Sequence, residues 1–166
     1  PSEAHSLILQ VTNGCSWNRC TFCEMYTLPE KKFAVKPIAE LEAELAAVAG
    51  AGVPVRRVFL ADGDAMTLSY RRLEEIMQAI RRHLPDSQRV SSYCLPRNLK
   101  NKTVDQLATL RELGLELFYV GCESGDDRVL ECVRKGETFE SSLAALRKIK
   151  AAGARSSVMI LNGRGG

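Results

Sequence analysis

The chain has 166 residues, 45% hydrophobic and 26% charged, enough to bury one substantial core, and nothing in it marks a second domain. A net charge of +3 is too small to indicate nucleic acid as a partner, and no apolar run approaches the ~18 residues of a membrane span. The opening residues Pro1-Ser2-Glu3-Ala4-His5 lack the basic and apolar regions of a signal peptide, so a cytoplasmic location is expected. Six unevenly clustered cysteines suit metal chemistry in a reducing compartment better than a disulfide framework.

In chain order, the apolar run Leu7 to Val11 reads as a first strand. Pro37 opens a helical pattern with Ile38, Leu41, Leu45 and Val48 on one face, stopped by Gly50 and Gly52. Val55 to Leu60 is a second strand, and Ser69 caps a helix carrying Leu73, Ile76, Met77 and Ile80 that ends near Pro85. Arg89 to Tyr93 is a third strand. Thr103 and Gln106 form a capping-box pair ahead of Leu107, Leu110 and Leu113, and Gly114 ends that helix before a fourth strand, Glu116 to Val120. A short helix from Arg128 to Arg134 follows. Thr138 to Ala152 gives a further helix with Leu143, Leu146 and Ile149 inward, Gly153 stops it, and Ser156 to Leu161 is a fifth strand.

Strands alternating with amphipathic helices predict an α/β fold with right-handed crossovers and a parallel sheet. A full eight-fold barrel needs ~250 residues, so the pattern fits either a partial, open β/α barrel or a doubly wound sheet, with the partial barrel favoured. The whole chain, 1–166, reads as one such core, stopping just after the fifth strand.

The most specific feature is Cys15, Cys20 and Cys23, packed into C-S-W-N-R-C-T-F-C directly after the first strand. Ligands gather in loops at the carboxyl ends of parallel strands. Three thiolates can hold three irons of a 4Fe-4S cluster and leave the fourth open, whereas a purely electron-carrying cluster normally uses four cysteines. An open iron can bind a substrate. With Phe22 before the last cysteine, this arrangement resembles the radical S-adenosylmethionine (radical SAM) superfamily. It departs from the usual motif in having four residues, Ser16-Trp17-Asn18-Arg19, in the first gap where three are usual.

The resemblance implies roles for other loops. Asp62-Gly63-Asp64, after the second strand, resembles a Gly-Gly-Glu type segment that receives the cofactor's amino group, with Asp64 at the acid position, Gly63 at the second glycine and Asp62 in place of the first. Taken alone, the segment reads as an ordinary Asp-Gly turn. After the fourth strand, Glu123-Ser124-Gly125 resembles a segment beside the ribose and carboxylate of the cofactor, while Asp126 and Asp127 suit a helix N-terminus. Lys135-Gly136-Glu137-Thr138 also resembles members of this superfamily and is assigned only a structural turn and cap. The terminal glycines Gly163, Gly165 and Gly166 follow the strand after which relatives place a loop against adenine, although a frayed end is the commoner explanation. Cys94, Cys122 and Cys132 are not spaced as a second cluster motif and are expected chiefly as small buried hydrophobes.

The resemblance therefore implies an enzyme that binds a 4Fe-4S cluster through Cys15, Cys20 and Cys23 and reductively cleaves S-adenosylmethionine, making a 5'-deoxyadenosyl radical that acts on a substrate. A structural zinc site completed by a fourth ligand, or an iron-sulfur electron carrier, are the rivals; both leave the acidic turn and the Glu-Ser-Gly segment unexplained. Lys31, Lys32 and Lys36 follow the cysteine loop, so a basic patch there would attract an acidic flavodoxin or ferredoxin as reductant, against the simpler reading of a solvated loop.

Overall fold

The computed structural model describes residues 3–163. Its strands are β1 (Leu7–Gln10), β2 (Thr12–Asn13), β3 (Ala34–Val35), β4 (Arg57–Ala61), β5 (Arg89–Cys94), β6 (Leu115–Glu123) and β7 (Arg155–Ile160). Its helices are α1 (Ile38–Gly50), α2 (Tyr70–His83), α3 (Val104–Glu112), α4 (Asp127–Cys132) and α5 (Phe139–Ala151). Five strands form one parallel sheet in the order β1-β4-β5-β6-β7. They enter it in chain order with no reversal, so right-handed crossovers lay every helix on the same face. A doubly wound sheet reverses its strand order. The progression seen here is that of the α/β partial barrel.

Alternation along the strands separates the two faces. Leu9, Val58, Leu60, Val90, Phe118 and Val120 point to the helix side and are buried with Leu41, Leu45, Leu73, Ile76, Leu107, Leu110 and Ile149. On the other face, Phe59, Tyr93 and Tyr119 stack edge-on or tilted, with ring centroids 5.0 to 6.2 Å apart. Below them, Glu3 accepts hydrogen bonds from the Tyr119 hydroxyl at 2.6 Å and from Arg89 at 2.9 Å. The N-terminal segment thereby closes the floor of the concave face.

The caps form as the sequence predicts. Ser69 Oγ accepts from the Arg72 amide, and Thr103 and Gln106 make both halves of a capping box. Among the expectations that change, three bear on the packing. Val11 leaves the first strand, because the chain turns there to pair Thr12–Asn13 with Ala34–Val35 as a small antiparallel ribbon. The fourth strand runs on through Gly121 and Cys122 to Glu123, with a register shift against β7 at that end. The buried face of α5 centres on Ser142, Ala145 and Ile149, because small side chains let the helix approach the 3-10 turn Pro96–Leu99, and Leu143 and Leu146 lie half-buried beside it. Among the described residues no helix is long and apolar enough to cross a membrane.

Candidate cofactor site

The loop carrying the three thiols is fastened at both ends. Asn13 donates from its amide nitrogen to the carbonyls of Glu30, at 2.7 Å, and Lys32, at 3.0 Å. Gly14 has a positive φ of 69° and lies against the Lys31 carbonyl, where a side chain would clash. Asn18 donates to the Tyr26 carbonyl at 2.6 Å, closing the loop on itself.

The residues of the lengthened first gap tie the loop to the far side of the barrel mouth. The Trp17 indole donates to the Arg134 carbonyl at 2.8 Å. Its ring lies 3.8 Å from the Arg97 guanidinium carbon and presses on Gly136, where φ is +70° and a β-carbon would strike the indole. The Thr21 amide also donates to the Val133 carbonyl at 3.0 Å.

The acidic turn after β4 seats the loop from below. Asp62 accepts from Lys31 at 2.9 Å and from the Gly14 amide at 3.4 Å. Burial works against its charge, but the bonds from Lys31, Tyr26 and Gly14 outweigh this and hold the carboxyl below its usual range. Gly63 lies flat under the Tyr26 ring, which a side chain there would hit. Asp64 is 1% exposed and accepts from the Ser16 hydroxyl. Burial pushes its carboxyl above the usual range, although the Ser16 and Asn98 side chains oppose the shift. The two acids thus face the loop, while Gly63 faces the cavity.

Cys15, Cys20 and Cys23 open together on a cavity of about 190 Å³, with Phe22, Tyr26 and Gly63 on the loop side. Tyr93, Cys94, Tyr119, Gly121, Glu123, Lys135 and Met159 complete it from β5, β6, the turn after α4, and β7. Register explains the convergence, since Tyr93 pairs with Tyr119 and Gly121 with Met159, and paired residues share a face.

Glu123 ends β6 with a φ of +60° and accepts from Lys135 Nζ at 2.9 Å. The ammonium is nearly buried and lies 5.9 Å from the Phe22 ring centroid. Ser124 does not line the cavity; its hydroxyl accepts from the Asp126 amide at 3.1 Å and shapes the turn into α4.

Tyr26, Gly121, Met159 and, with its charge, Lys135 line the cavity without having been read from the sequence as site residues. The turn and cap assigned to the Lys135 segment are present, with Thr138 capping α5. A lone lysine before a glycine carries no local sign that its side chain turns inward. Cys94 is buried and borders the cavity, Cys122 is buried, and Cys132 is exposed. The expectation of a small buried hydrophobe therefore fails for Cys132, which ends α4 on the surface. Residues 164–166, including the last two glycines of the adenine expectation, lie outside the described residues.

The donor set suits an iron-sulfur cluster. All three thiols are free and half-buried, come from one loop and share one cavity. Burial raises the Cys20 thiol above its ordinary value, and the nearby Lys135 charge only partly offsets that shift. Among the described residues no group of three or more His, Cys, Asp or Glu is placed to hold a single metal ion. A cuboid cluster makes a different demand, since each thiolate takes its own iron.

A strand-ordered partial barrel with a three-cysteine loop at the mouth defines a class, and the comparison with known families agrees. The Radical SAM superfamily profile matches residues 9–165, and the chain belongs to this enzyme superfamily. Its members generally use a 4Fe-4S cluster and S-adenosylmethionine. The fold is similar to that of the cobalamin-dependent S-adenosylmethionine radical enzyme OxsB, with a TM-score of 0.75 and 20% identity over 92% of this chain and 23% of that one. Methylornithine synthase, PylB, gives 0.69 and 21% over 96% and 45%. Coproporphyrinogen III oxidase, HemN, from Escherichia coli, a radical SAM enzyme, gives 0.69 and 19% over 92% and 36%. The chain thus spans less than half the length of each of these proteins. No curated protein sequence matches it. Superfamily membership leaves the zinc alternative without support.

Proposed function

We propose that Cys15, Cys20 and Cys23 each ligate one iron of a 4Fe-4S cluster and that S-adenosylmethionine occupies the adjoining cavity. The observation that carries this reading is that three thiols of one loop open on the same space as the Glu123–Lys135 pair. In it, the Asp62-Gly63-Asp64 turn receives the cofactor's ammonium through the Gly63 backbone. Asp64 adds negative charge behind that glycine and holds Ser16, while Asp62 locks Lys31 and Tyr26. Lys135 presents a cation to the cofactor's carboxylate, and Glu123 presents a carboxylate to the ribose hydroxyls. Ser124 sets the backbone turn that aims Glu123. Phe22 and Tyr26 wall off water on the loop side. When bound, the cluster and cofactor supply reductive cleavage to methionine and a 5'-deoxyadenosyl radical, which acts on a substrate held over the Phe59, Tyr93 and Tyr119 face.

Anaerobic reconstitution with iron and sulfide tests the reading. The native chain and Cys132→Ala should retain about four irons each, and Cys20→Ala should lose the stable cluster. Adding S-adenosylmethionine to the native protein should change its electron spin resonance spectrum. A fully loaded Cys20→Ala protein, or a spectrum indifferent to the cofactor, overturns the proposal.

A further inference from the structure

The outer side of the cysteine loop carries a cationic patch that the cofactor site does not use. Trp17, Asn18 and Arg19 line a shallow depression together with Arg134, which lies across from them after α4. Arg19 and Arg134 are exposed. Among the described residues neither has a carboxylate within ion-pair distance. Most other cations around the loop are engaged. Lys31 pairs with Asp62 at 2.9 Å, Lys36 with Glu44 at 2.6 Å and Arg97 with Glu137 at 2.7 Å. Of the lysines that follow the loop, Lys32 alone has no ion pair among the described residues. The lysine stretch that the sequence suggested as a docking site has therefore spent most of its charge internally.

The patch is also joined to the metal ligands. Arg19 directly precedes Cys20, and its guanidinium carbon lies 5.1 Å from the centroid of the Trp17 ring. The indole is pinned to the Arg134 carbonyl at 2.8 Å, so the two arginines flank a rigid aromatic surface on the back of the cluster loop. An electron for reductive cleavage has to arrive from outside the chain, and unpaired cations on the outer surface of the ligand loop are where a negatively charged carrier is steered.

We propose that the Trp17, Arg19 and Arg134 face docks an acidic one-electron carrier of the ferredoxin class. This rests on the cluster reading above. One electron passes from the reduced carrier, which is oxidised by one, to the cluster, which is reduced by one; no atom or proton is transferred. Two arginines without ion-pair partners beside a half-buried indole suit a carboxylate-rich protein surface, with guanidinium–carboxylate pairing supplying orientation.

The test uses an acidic plant-type [2Fe-2S] ferredoxin as the probe. Its binding to the protein is measured by titration calorimetry, before and after cluster loading, and its electron transfer by stopped flow. Arg19→Glu and Arg134→Glu should each weaken binding and slow transfer by about tenfold, and raised salt should narrow the gap to the native chain. Arg134→Ala, a milder change, should give a smaller loss in the same direction. Reduction by dithionite, which needs no docking, should be unchanged in all of them, and Lys32→Glu should bind ferredoxin normally.

Ferredoxin binding that both reversals leave intact, or a loss in Lys32→Glu equal to that in Arg134→Glu, overturns the docking. So does the retention of RNA at this face in place of ferredoxin. A chain that binds ferredoxin here but never takes up a cluster upholds the docking surface and overturns the cluster reading instead.

Discussion

Lys135 Nζ lies 2.9 Å from Glu123 Oε1, and the pair sits over Gly121, where a β-carbon would come within 2.7 Å of that oxygen and 2.9 Å of that nitrogen. The absent side chain at position 121 is what lets a nearly buried ion pair border the cavity. Lys135→Met removes the cation and leaves Glu123 unpaired. Its affinity for S-adenosylmethionine should fall by about ten- to a hundredfold, the worth of one charge-assisted hydrogen bond. Gly121→Ala should give a comparable loss with no change in charge, because it drives the pair apart. Calorimetric titration of the reconstituted variants checks both.

Asp64 and Ser16 act as one unit. Asp64→Ala and Ser16→Ala should each lower stability by about 1–3 kcal/mol, and the double variant should cost little more than the worse single one. Denaturant unfolding measures this. Additive losses would show that the two side chains serve separate purposes.

Gly136→Ala tests how the lengthened first gap is anchored. The new methyl meets the Trp17 ring at a position with φ of +70°, so the indole should leave its seat between Arg97 and the Arg134 carbonyl. The chain has a single tryptophan, so its emission reports the site directly and should shift to the red. Cluster retention should fall in parallel, since Thr21 and Trp17 hold the loop to the same turn.

Glu3 makes stability depend on pH. Burial opposes its charge, but bonds from Ser6, Tyr119 and Ser91 and the Arg89 cation outweigh this and hold its carboxyl below the usual range. A carboxyl depressed on folding contributes stability above its unfolded pKa and loses it as pH falls through the folded value. Glu3→Gln should therefore be less stable than the native chain at neutral pH, by about 1 kcal/mol, with the gap closing in acid. Thermal melts across that range check the sign.

The strand–helix alternation, the Ser69 and Thr103 caps and the cysteine loop were all legible in the sequence. Each is a local matter: periodicity, a capping side chain, or thiols a few residues apart. Even so, the position of β6's end was not, because Gly121 and Cys122 carry no strand signal and the end is held in the sheet by the pairing of Gly121 and Glu123 with β7 across a register shift. The inward turn of Lys135, the commitment of Asp64 to Ser16, and the spending of Lys31 and Lys36 on Asp62 and Glu44 were equally invisible.

By itself the sequence determined the class of fold and the gathering of three thiols in one loop, because both are written in short-range spacing. Only the tertiary structure decided which charged groups face the cavity, which brace the loop and which remain unpaired outside. Those choices join residues far apart in the chain, such as Ser16 with Asp64 and Trp17 with Arg134. They arise because a charge taken out of water must find a partner, and which partner is within reach is set by packing.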